Sequence, residues 1–283
     1  ILESYIDAYT TALKNTDFEL VYVDAFAGSG SRTSRRSTSA TLFELQELEE
    51  ILRVSPRLAL EVKGKPFDRF LFVDKKKSNV SELQNLVAEE YPEQSEKVRI
   101  RRGDANDIIK NFCANTNWAR TRAVLFLDPY GMQTDWETIT TIAETKAVDL
   151  WYLVPTGMGL NRLMTKSRTM EKSWEDRLDR HLGTPDWRDH FYVEIPQGDL
   201  FDNRQKTVER VYDDDRAEAF VLDRLRSVFS GVASKAVRLR NSQGQTMFIL
   251  TFAYANPRAH PARSIAEHLV RKWEESDHQY GRI

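Results

Sequence analysis

Residues Leu20 to Gly30 read LVYVDAFAGSG, and this stretch decides how the rest of the chain is interpreted. A run of β-prone residues ends in Asp24 and leads at once into small residues, which is typical of a buried parallel strand entering a tight turn. Gly28 and Gly30 lack a Cβ, so the turn can adopt positive φ angles and a ligand can approach its backbone. The turn lacks the G-K-S/T of a P-loop, and its form D-x-F-x-G-x-G differs from the dinucleotide fingerprint G-x-G-x-x-G.

Acidic residues also accompany the strands that follow. The further strands predicted from apolar runs are Phe67 to Asp74, Lys97 to Arg101, Thr121 to Asp128 and Val148 to Val154. Asp74 and Asp128 end two of them, and Asp104 lies just after another. Alternating strands and helices predict a parallel sheet that binds its ligand at the carboxyl edge of the strands. We therefore expect these acids to gather with Asp24 on one rim.

Two of these acids have alternative roles. Asp74 could accept hydrogen bonds from both hydroxyls of a ribose, or it could cap the helix predicted from Ser78 to Glu90. The ribose-binding acid usually follows the glycine turn by about 20 residues, so the longer interval here indicates an insertion between Ser31 and Pro66. Asp104 could accept a hydrogen bond from an adenine amine, and Asp107 is expected to cap a helix that starts at Ile108.

Composition excludes several classes of protein. Of the 283 residues, 41 are Lys or Arg and 43 are Asp or Glu, so any nucleic-acid binding must use a local basic patch. The single cysteine, Cys113, excludes an internal disulfide or a cysteine-rich metal site and fits a cytoplasmic location. The five histidines lack metal-ligand spacing, so we expect no metal. No apolar stretch approaches the roughly 20 residues that cross a bilayer, so no membrane association is expected.

The second half of the chain differs in character. Residues 159–230 are largely polar and predict a helical insertion after a core of residues 1–158. Residues 231–283 are expected to complete the core with a hairpin, formed by Ala236 to Arg240 and Met247 to Tyr254, and a final helix from Arg263 to Glu275. The predicted fold is thus α/β, with an antiparallel C-terminal strand added to a mostly parallel sheet.

This arrangement resembles the Rossmann-like fold of class I S-adenosylmethionine-dependent methyltransferases. The resemblance implies that Asp24, Phe26, Gly28 and Gly30 surround the methionine part of the cofactor, that Asp74 holds the ribose and that Asp104 holds the adenine amine. Cofactor contacts are therefore expected from Asp24, Ala25, Phe26, Gly28, Ser29, Gly30, Asp74, Lys75, Asp104, Ala105 and Asp128.

The residues after the fourth strand would contact the methyl acceptor. The D-x-F-x-G-x-G form resembles methyltransferases that act on nucleic-acid bases, and those that methylate exocyclic amines carry D/N/S-P-P-Y/F/W at this place. The resemblance implies catalytic roles for Asp128, Pro129 and Tyr130. This chain has DPYG, with one proline and the aromatic residue one position early, so the amine-binding geometry is altered. Tyr130 either stacks on the target base or packs beneath the turn.

A more specific resemblance covers most of the chain. The motifs YVDAFAGSG, FVDKKK, GDAND, FLDPYGMQTDWETI, VDLWYLVP and FILTFAYANPRAHPARSIA resemble the three-Cys-motif partner family of bacteria and phages. Membership implies a partner protein that carries a three-cysteine motif. The function expected is methylation of a nucleic-acid base, and the alternative is a catalytically silent subunit that regulates the partner. A nicotinamide-dependent dehydrogenase is disfavoured because no hydride-transfer dyad is evident.

Candidate basic surfaces are Arg32, Arg35 and Arg36 after the glycine turn and Arg99, Arg101 and Arg102 on the third strand. The arginines of the third strand are interpreted as either substrate contacts or a solvated strand edge, and the second is favoured. Thr156 and Gly157, which follow the fifth strand, are candidates for the lining of the acceptor pocket.

Overall fold

The computed structural model describes residues 1–30, 55–129, 131–165, 170–196 and 206–280. The strands in the described part of the chain are β1 (Glu19–Asp24), β2 (Arg69–Asp74), β3 (Val98–Arg102), β4 (Thr121–Leu127), β5 (Val148–Val154), β6 (Tyr192–Pro196), β7 (Lys206–Arg210), β8 (Gly231–Val232), β9 (Val237–Arg240) and β10 (Thr246–Tyr254). The helices there are α1 (Leu2–Ala12), α2 (Ser55–Leu60), α3 (Lys77–Glu90), α4 (Ala105–Asn115), α5 (Trp136–Glu144), α6 (Lys172–Leu182), α7 (Trp187–Phe191), α8 (Asp214–Arg226) and α9 (His260–Tyr280). A short 3₁₀ helix, Pro92–Lys97, and a π-helix, Thr156–Asn161, complete the elements of these ranges.

The main sheet confirms the predicted fold class. Its strands lie in the order β3-β2-β1-β4-β5-β10, and both β8 and β9 pair with β10. Strands β1 to β5 pair in parallel, whereas β10 runs antiparallel to β5. This is a Rossmann-like, mostly parallel sheet, and the hairpin of β9 and β10 is the antiparallel addition that the sequence predicts.

Alternate residues of the central strand face two separate apolar cores. Val21 and Val23 of β1 pack in the core that contains α4, α5 and part of α8. Leu20 and Tyr22 pack in the opposite core, against α1, α3 and α9. Because β1 is buried on both faces, its sequence is a continuous apolar run without alternation.

The segment 159–230 departs from the helical prediction in part. It contains α6, α7 and α8, but β6 and β7 also form a separate antiparallel pair within it. Strand β6 reads YVEIP, a run of five residues that ends in proline within a largely polar segment, so the sequence gives only a weak strand signal there. Helix α8 packs against β8 and β10 of the main sheet.

Helix α4 begins three residues earlier than predicted, and its cap is Asp104. The side chain of Asp104 accepts a hydrogen bond from the Asn106 amide at 2.9 Å, so the expected cap at Asp107 is wrong. Asp107 instead lies in the first turn, where a negative charge also favours the helix. Most of the expected insertion between Ser31 and Pro66 lies outside the described residues, as do Arg32, Arg35 and Arg36.

Two kinds of feature are absent from the described ranges. No helix there combines the length and the apolar character that a membrane span requires. No group of three or more His, Cys, Asp or Glu side chains there is arranged to hold a metal ion.

A buried carboxyl lies near the start of β5, at the end of the sheet opposite the strand-end acids. Asp149 is buried and accepts a hydrogen bond of 2.7 Å from the Tyr5 hydroxyl of α1. Burial raises the pKa of Asp149 to about 7, although Tyr5 and Arg122 oppose the shift. A folded-state pKa above that of the unfolded chain favours the fold below about pH 4, and this contribution is lost as the pH rises through 7.

The Asp149→Asn variant should therefore have a shallower loss of stability with pH. Asparagine keeps the acceptor for Tyr5 and removes the ionisation, so we expect the fall in unfolding free energy between pH 4 and 8 to shrink by about 1–3 kcal/mol. Urea unfolding across this range measures the difference. Asp17→Asn, which removes an exposed carboxylate, is the matched control, and equal slopes for wild type and Asp149→Asn would contradict the prediction.

Candidate functional site

The ends of β1 and β2 and the turn after β1 form one connected structure. Because the strands are parallel neighbours, Asp24 and Asp74 end at the same edge of the sheet. The turn then folds over the end of β2, since the Ala27 amide donates to the Val73 carbonyl at 2.9 Å and the Gly28 amide donates to Asp74 Oδ2 at 3.1 Å. Gly28 and Gly30 have φ angles of 61° and 66°, as this turn requires.

Asp74 organises the backbone around it through three accepted hydrogen bonds. Besides Gly28, the Lys76 amide donates to Oδ1 at 2.6 Å and the Asn79 side chain donates to Oδ2 at 2.9 Å. A carboxylate offers about four lone-pair positions, so roughly one remains for a further donor. Asp74 thus both orders the start of α3, as the helix-cap alternative proposed, and keeps a position for a ligand.

Asp24 is completely buried, and its carboxyl binds backbone and side-chain donors beneath the turn. It accepts hydrogen bonds from the Phe26 amide at 3.2 Å and from the Ser55 hydroxyl at the start of α2. Burial raises the pKa of Asp24 to about 7, and the nearby negative charge of Asp74 adds to the increase. The described contacts of this carboxyl are thus internal.

Asp104 is the most exposed of the three acids Asp24, Asp74 and Asp104. Its Oδ1 accepts from Asn106, while its Oδ2 lies 3.9 Å from the Lys75 ammonium, and its side chain is 45% exposed. Lys75, the residue that follows β2, thus lies near Asp104, the second residue after β3. Oδ2 accepts no hydrogen bond from the described residues, so it can take a further donor beside Lys75.

Asn106 joins this group to the loop after β4, and the sequence analysis did not assign it a role. The side-chain Nδ2 of Asn106 donates to the Gln133 carbonyl at 2.8 Å. Its oxygen accepts from the Asp135 amide at 2.9 Å and from the Thr138 hydroxyl at 2.8 Å. The acids at the ends of β1, β2 and β3 are therefore linked to the loop that carries the predicted acceptor residues.

The predicted catalytic residues lie at the start of that loop. Asp128 is partly buried and Pro129 is buried, whereas Tyr130 lies outside the described residues. Further along the loop, Met132 packs closely against Gly159. A Cβ added to Gly159 would lie 3.0 Å from the Cγ of Met132. The loop after β4 therefore packs against the turn after β5, where Thr156 is buried.

A buried histidine fixes the same loop from the inserted segment. His181 of α6 contacts the Thr134 carbonyl through Nδ1 at 2.8 Å and the Tyr152 hydroxyl through Nε2 at 3.3 Å. Burial lowers the pKa of His181 to about 4, so the imidazole is neutral at physiological pH. The Thr134 carbonyl accepts, so Nδ1 carries the proton and Nε2 accepts from Tyr152.

A polar cavity of about 490 Å³ lies beside the turn after β5. The Tyr212 hydroxyl, one of its lining groups, donates to the Thr156 carbonyl at 3.1 Å. The cavity is lined by Asn161, Arg210, Tyr212, Asp213, Asp214, Asp215 and Arg238. It therefore adjoins Thr156, the residue expected to line the acceptor pocket.

The remaining predicted contacts differ in accessibility. Ala25 is fully buried and its amide donates to the Phe126 carbonyl at 3.1 Å. Ala105 is buried as the first residue of α4, whereas Phe26 and Ser29 are partly exposed. The two alanines thus contribute to the backbone of the site, and the exposed face of the turn is carried by Phe26 and Ser29.

Comparisons with known proteins were made at three levels. No family model and no curated protein matches the chain. Among solved structures, LPL1258 of Legionella pneumophila, a DUF519 protein, matches 95% of this chain and 89% of its own, with a TM-score of 0.49 and 11% identity. A Listeria monocytogenes structure described as a putative S-adenosylmethionine-dependent methyltransferase has a TM-score of 0.40 at 10% identity, over 89% of this chain and 98% of its own.

A third solved structure is the Bacillus cereus O-methyltransferase in complex with SAH, with a TM-score of 0.40, 10% identity and coverage of 89% and 80% of the two chains. The three structures are similar to this chain only in the path of the backbone. The fold rests on the strand order and direction described above, and the site on its own contacts.

Replacing Gly30 should test how tightly the turn is packed. A Cβ at Gly30 would lie 3.0 Å from Leu83 Cδ1 and 3.1 Å from Leu86 Cδ2, in addition to the cost of a positive φ. Gly244→Ala is the matched control, because its φ of 77° has a similar cost and no atom lies within 4 Å of the added carbon. We expect each variant to lose about 1–2 kcal/mol from the backbone, with a further loss of about 1 kcal/mol in Gly30→Ala. Thermal unfolding compares the two, and equal losses would contradict the packing described.

Proposed function

We propose that this protein is an S-adenosylmethionine-dependent methyltransferase that acts on a nucleic-acid base. The observation that carries the proposal is the connected carboxyl edge, where the Gly28 amide binds Asp74 and Asn106 joins Asp104 to the loop after β4. In an open parallel sheet this edge is where ligands bind. Its strand-end acids are suited to the hydroxyls and amine of a nucleoside.

The strand-end acids and the glycine turn offer a separate contact to each part of the cofactor. Asp104 offers a free Oδ2 to the adenine amine, and Asp74 offers one position to a ribose hydroxyl. A second ribose hydroxyl requires the Asn79 amide to turn away from Asp74. Phe26 and Ser29 would face the methionine part, above the buried Asp24. When bound, S-adenosylmethionine supplies a methyl group activated by its sulfonium.

The chain's own contribution to the reaction is mainly to position the acceptor. The leaving group of a methyl transfer is neutral, so alignment of the nucleophile gives most of the acceleration. Asp128 accepts a hydrogen bond or a proton from an amine of the base, and the buried Pro129 fixes its backbone. A base in this position has been drawn out of its stack, and Tyr130 would stack on its ring. Thr156 is buried in the turn after β5, which packs against the loop that carries Asp128.

The second candidate function is a cofactor-binding, catalytically silent subunit that regulates a three-Cys-motif protein. Two observations favour it: the DPYG sequence in place of DPPY, and the internal hydrogen bonds that occupy most of Asp74. In this case the chain would belong to the three-Cys-motif partner family, and the cofactor would act as a signal. With either function we propose a cytoplasmic location, which the single cysteine fits.

Replacing Asp128 should separate the two functions. We expect Asp128→Ala to lower methyl transfer at least about 100-fold, because it removes the group that orients the amine, and to change cofactor affinity by less than about threefold. Labelled cofactor is incubated with pools of RNA, DNA and protein, with and without the partner, and calorimetry gives the affinity. The control is Asp107→Ala, which removes an exposed acid of α4. Full activity of Asp128→Ala would contradict the catalytic role, and an unchanged effect on the partner would favour the silent subunit.

Replacing Asp104 should test the adenine contact without removing the helix cap. Serine caps helices about as well as aspartate, but its shorter side chain cannot reach a ligand in the same way. We expect Asp104→Ser to weaken cofactor binding about tenfold, the effect of one hydrogen bond to a charged group, with a melting temperature close to that of wild type. Unchanged affinity by calorimetry would place the adenine elsewhere.

A further inference from the structure

Five cationic residues meet at the carboxyl edge of β2 and β3. Lys75, Lys76 and Lys77 directly follow β2, and Arg101 and Arg102 end β3. The strands are parallel neighbours, with Asp74 opposite Arg102, so the two groups lie at the same edge of the sheet. All five residues are exposed. We call them the β2–β3 basic patch.

The patch has one sign of charge and few ion pairs. Some cations elsewhere in the described residues form ion pairs, as Arg69 does with Glu19 and Lys110 with Glu137. In the patch, Lys75 lies 3.9 Å from Asp104, whereas Lys76, Lys77 and Arg101 have no ion pair with any carboxylate of the described part of the chain. In a chain with a net charge of −2, this is a local excess of positive charge.

The start of α3 adds to the positive potential. The helix begins at Lys77, and Lys76 at its N-cap makes no side-chain capping hydrogen bond. Its first turn contains no acidic residue. The amino end of a helix dipole is positive, so lysines there are unfavourable unless an anion is nearby. Asp74 supplies an anion at this helix start through the Lys76 amide and the Asn79 side chain, and three consecutive lysines beside this carboxylate leave a surplus of positive charge for a polyanion.

Resting on the proposed function, we propose that the β2–β3 basic patch binds the phosphate backbone of the polynucleotide whose base is methylated. Three strand spacings of about 4.8 Å separate β3 from β4, which is about 14 Å. Phosphates of one strand of a duplex are about 3.4 Å apart along the axis, so the patch lies about four nucleotides from Asp128. It would therefore hold the chain beside the target base without touching the base.

The composition of the patch favours phosphates over an acidic protein. Protein interfaces usually have an apolar centre surrounded by polar residues. The residues beside the lysines, Ser78 and Asn79, are polar, and Ile100 of β3 is only partly exposed. A flat group of flexible cations without an apolar centre suits contacts to phosphates, which position a nucleic acid without reading its sequence.

The test compares two triple variants that remove equal charge from opposite edges of the sheet. One is Lys76→Gln, Lys77→Gln and Arg101→Gln in the patch. The other is Lys63→Gln, Lys97→Gln and Arg120→Gln, three exposed cations that precede β2, β3 and β4. Lys75 is retained in both because it belongs to the proposed cofactor site. Binding of labelled RNA and DNA oligonucleotides to the full chain is measured by fluorescence anisotropy over a range of salt concentrations.

We expect the patch variant to bind at least about tenfold more weakly near physiological salt, with the slope of log K against log salt reduced by about 2, since each single-strand phosphate contact contributes about 0.7. The control variant should keep the wild-type slope. Equal losses in both variants, an unchanged slope in the patch variant, or displacement of the oligonucleotide by polyglutamate as readily as by unlabelled RNA would overturn the proposal. Calorimetry with S-adenosylmethionine is run on the same proteins: absent cofactor binding in wild type would refute the proposed function, while the slopes still decide the patch.

Discussion

Two carboxyls at the ends of adjacent parallel strands repel one another, and the site depends on how the fold accommodates them. Asp24 and Asp74 lie at the same edge because β1 and β2 are parallel neighbours. Burial raises the pKa of Asp24 to about 7, so below neutral pH this group is largely neutral. Asp74 instead accepts hydrogen bonds from three donors. The two acids therefore have different roles: Asp24 supports the turn from within, and Asp74 ties the turn to the start of α3.

The other elements extend this arrangement along the edge. The Gly28 amide ties the glycine turn to Asp74, Lys75 approaches Asp104, and Asn106 joins α4 to the loop after β4. The neutral His181 then ties that loop to α6. The segment after β5 is thus not only an addition to the sheet, because one of its helices fixes the backbone beside the proposed acceptor site.

Most of the sheet was predictable from the sequence because strands buried on both faces leave continuous apolar runs, as in VYVD and AVLFLD. The acids Asp24, Asp74 and Asp128 were predictable for the same reason, since the runs of β1, β2 and β4 each end in an aspartate. The cap of α4 was assigned three residues too late, because Asp104 and Asp107 are both good caps and only the backbone distinguishes them. Strand β6 was missed because it is only five residues long and ends in a proline within a largely polar segment.

Several residues of the site could not be found from the sequence because their roles arise from tertiary contacts. Ser55 reaches Asp24 across 31 residues, and His181 reaches Thr134 across 47. Asn106 lies within the noted GDAND motif, but its partners are in a loop 27 or more residues away. Each is an ordinary polar residue in its local sequence, without a motif or a periodicity to mark it.

The central claim is that the carboxyl edge of β1, β2 and β3 binds one sulfonium nucleoside. A crystal structure with S-adenosylhomocysteine, the product form of the cofactor, tests it most directly. The account predicts the adenine amine against Asp104 Oδ2, a ribose hydroxyl on Asp74 and the amino-acid part over the Gly28 turn. Density for the nucleoside at any other edge of the sheet, or at this edge without contact to Asp74 and Asp104, would contradict it.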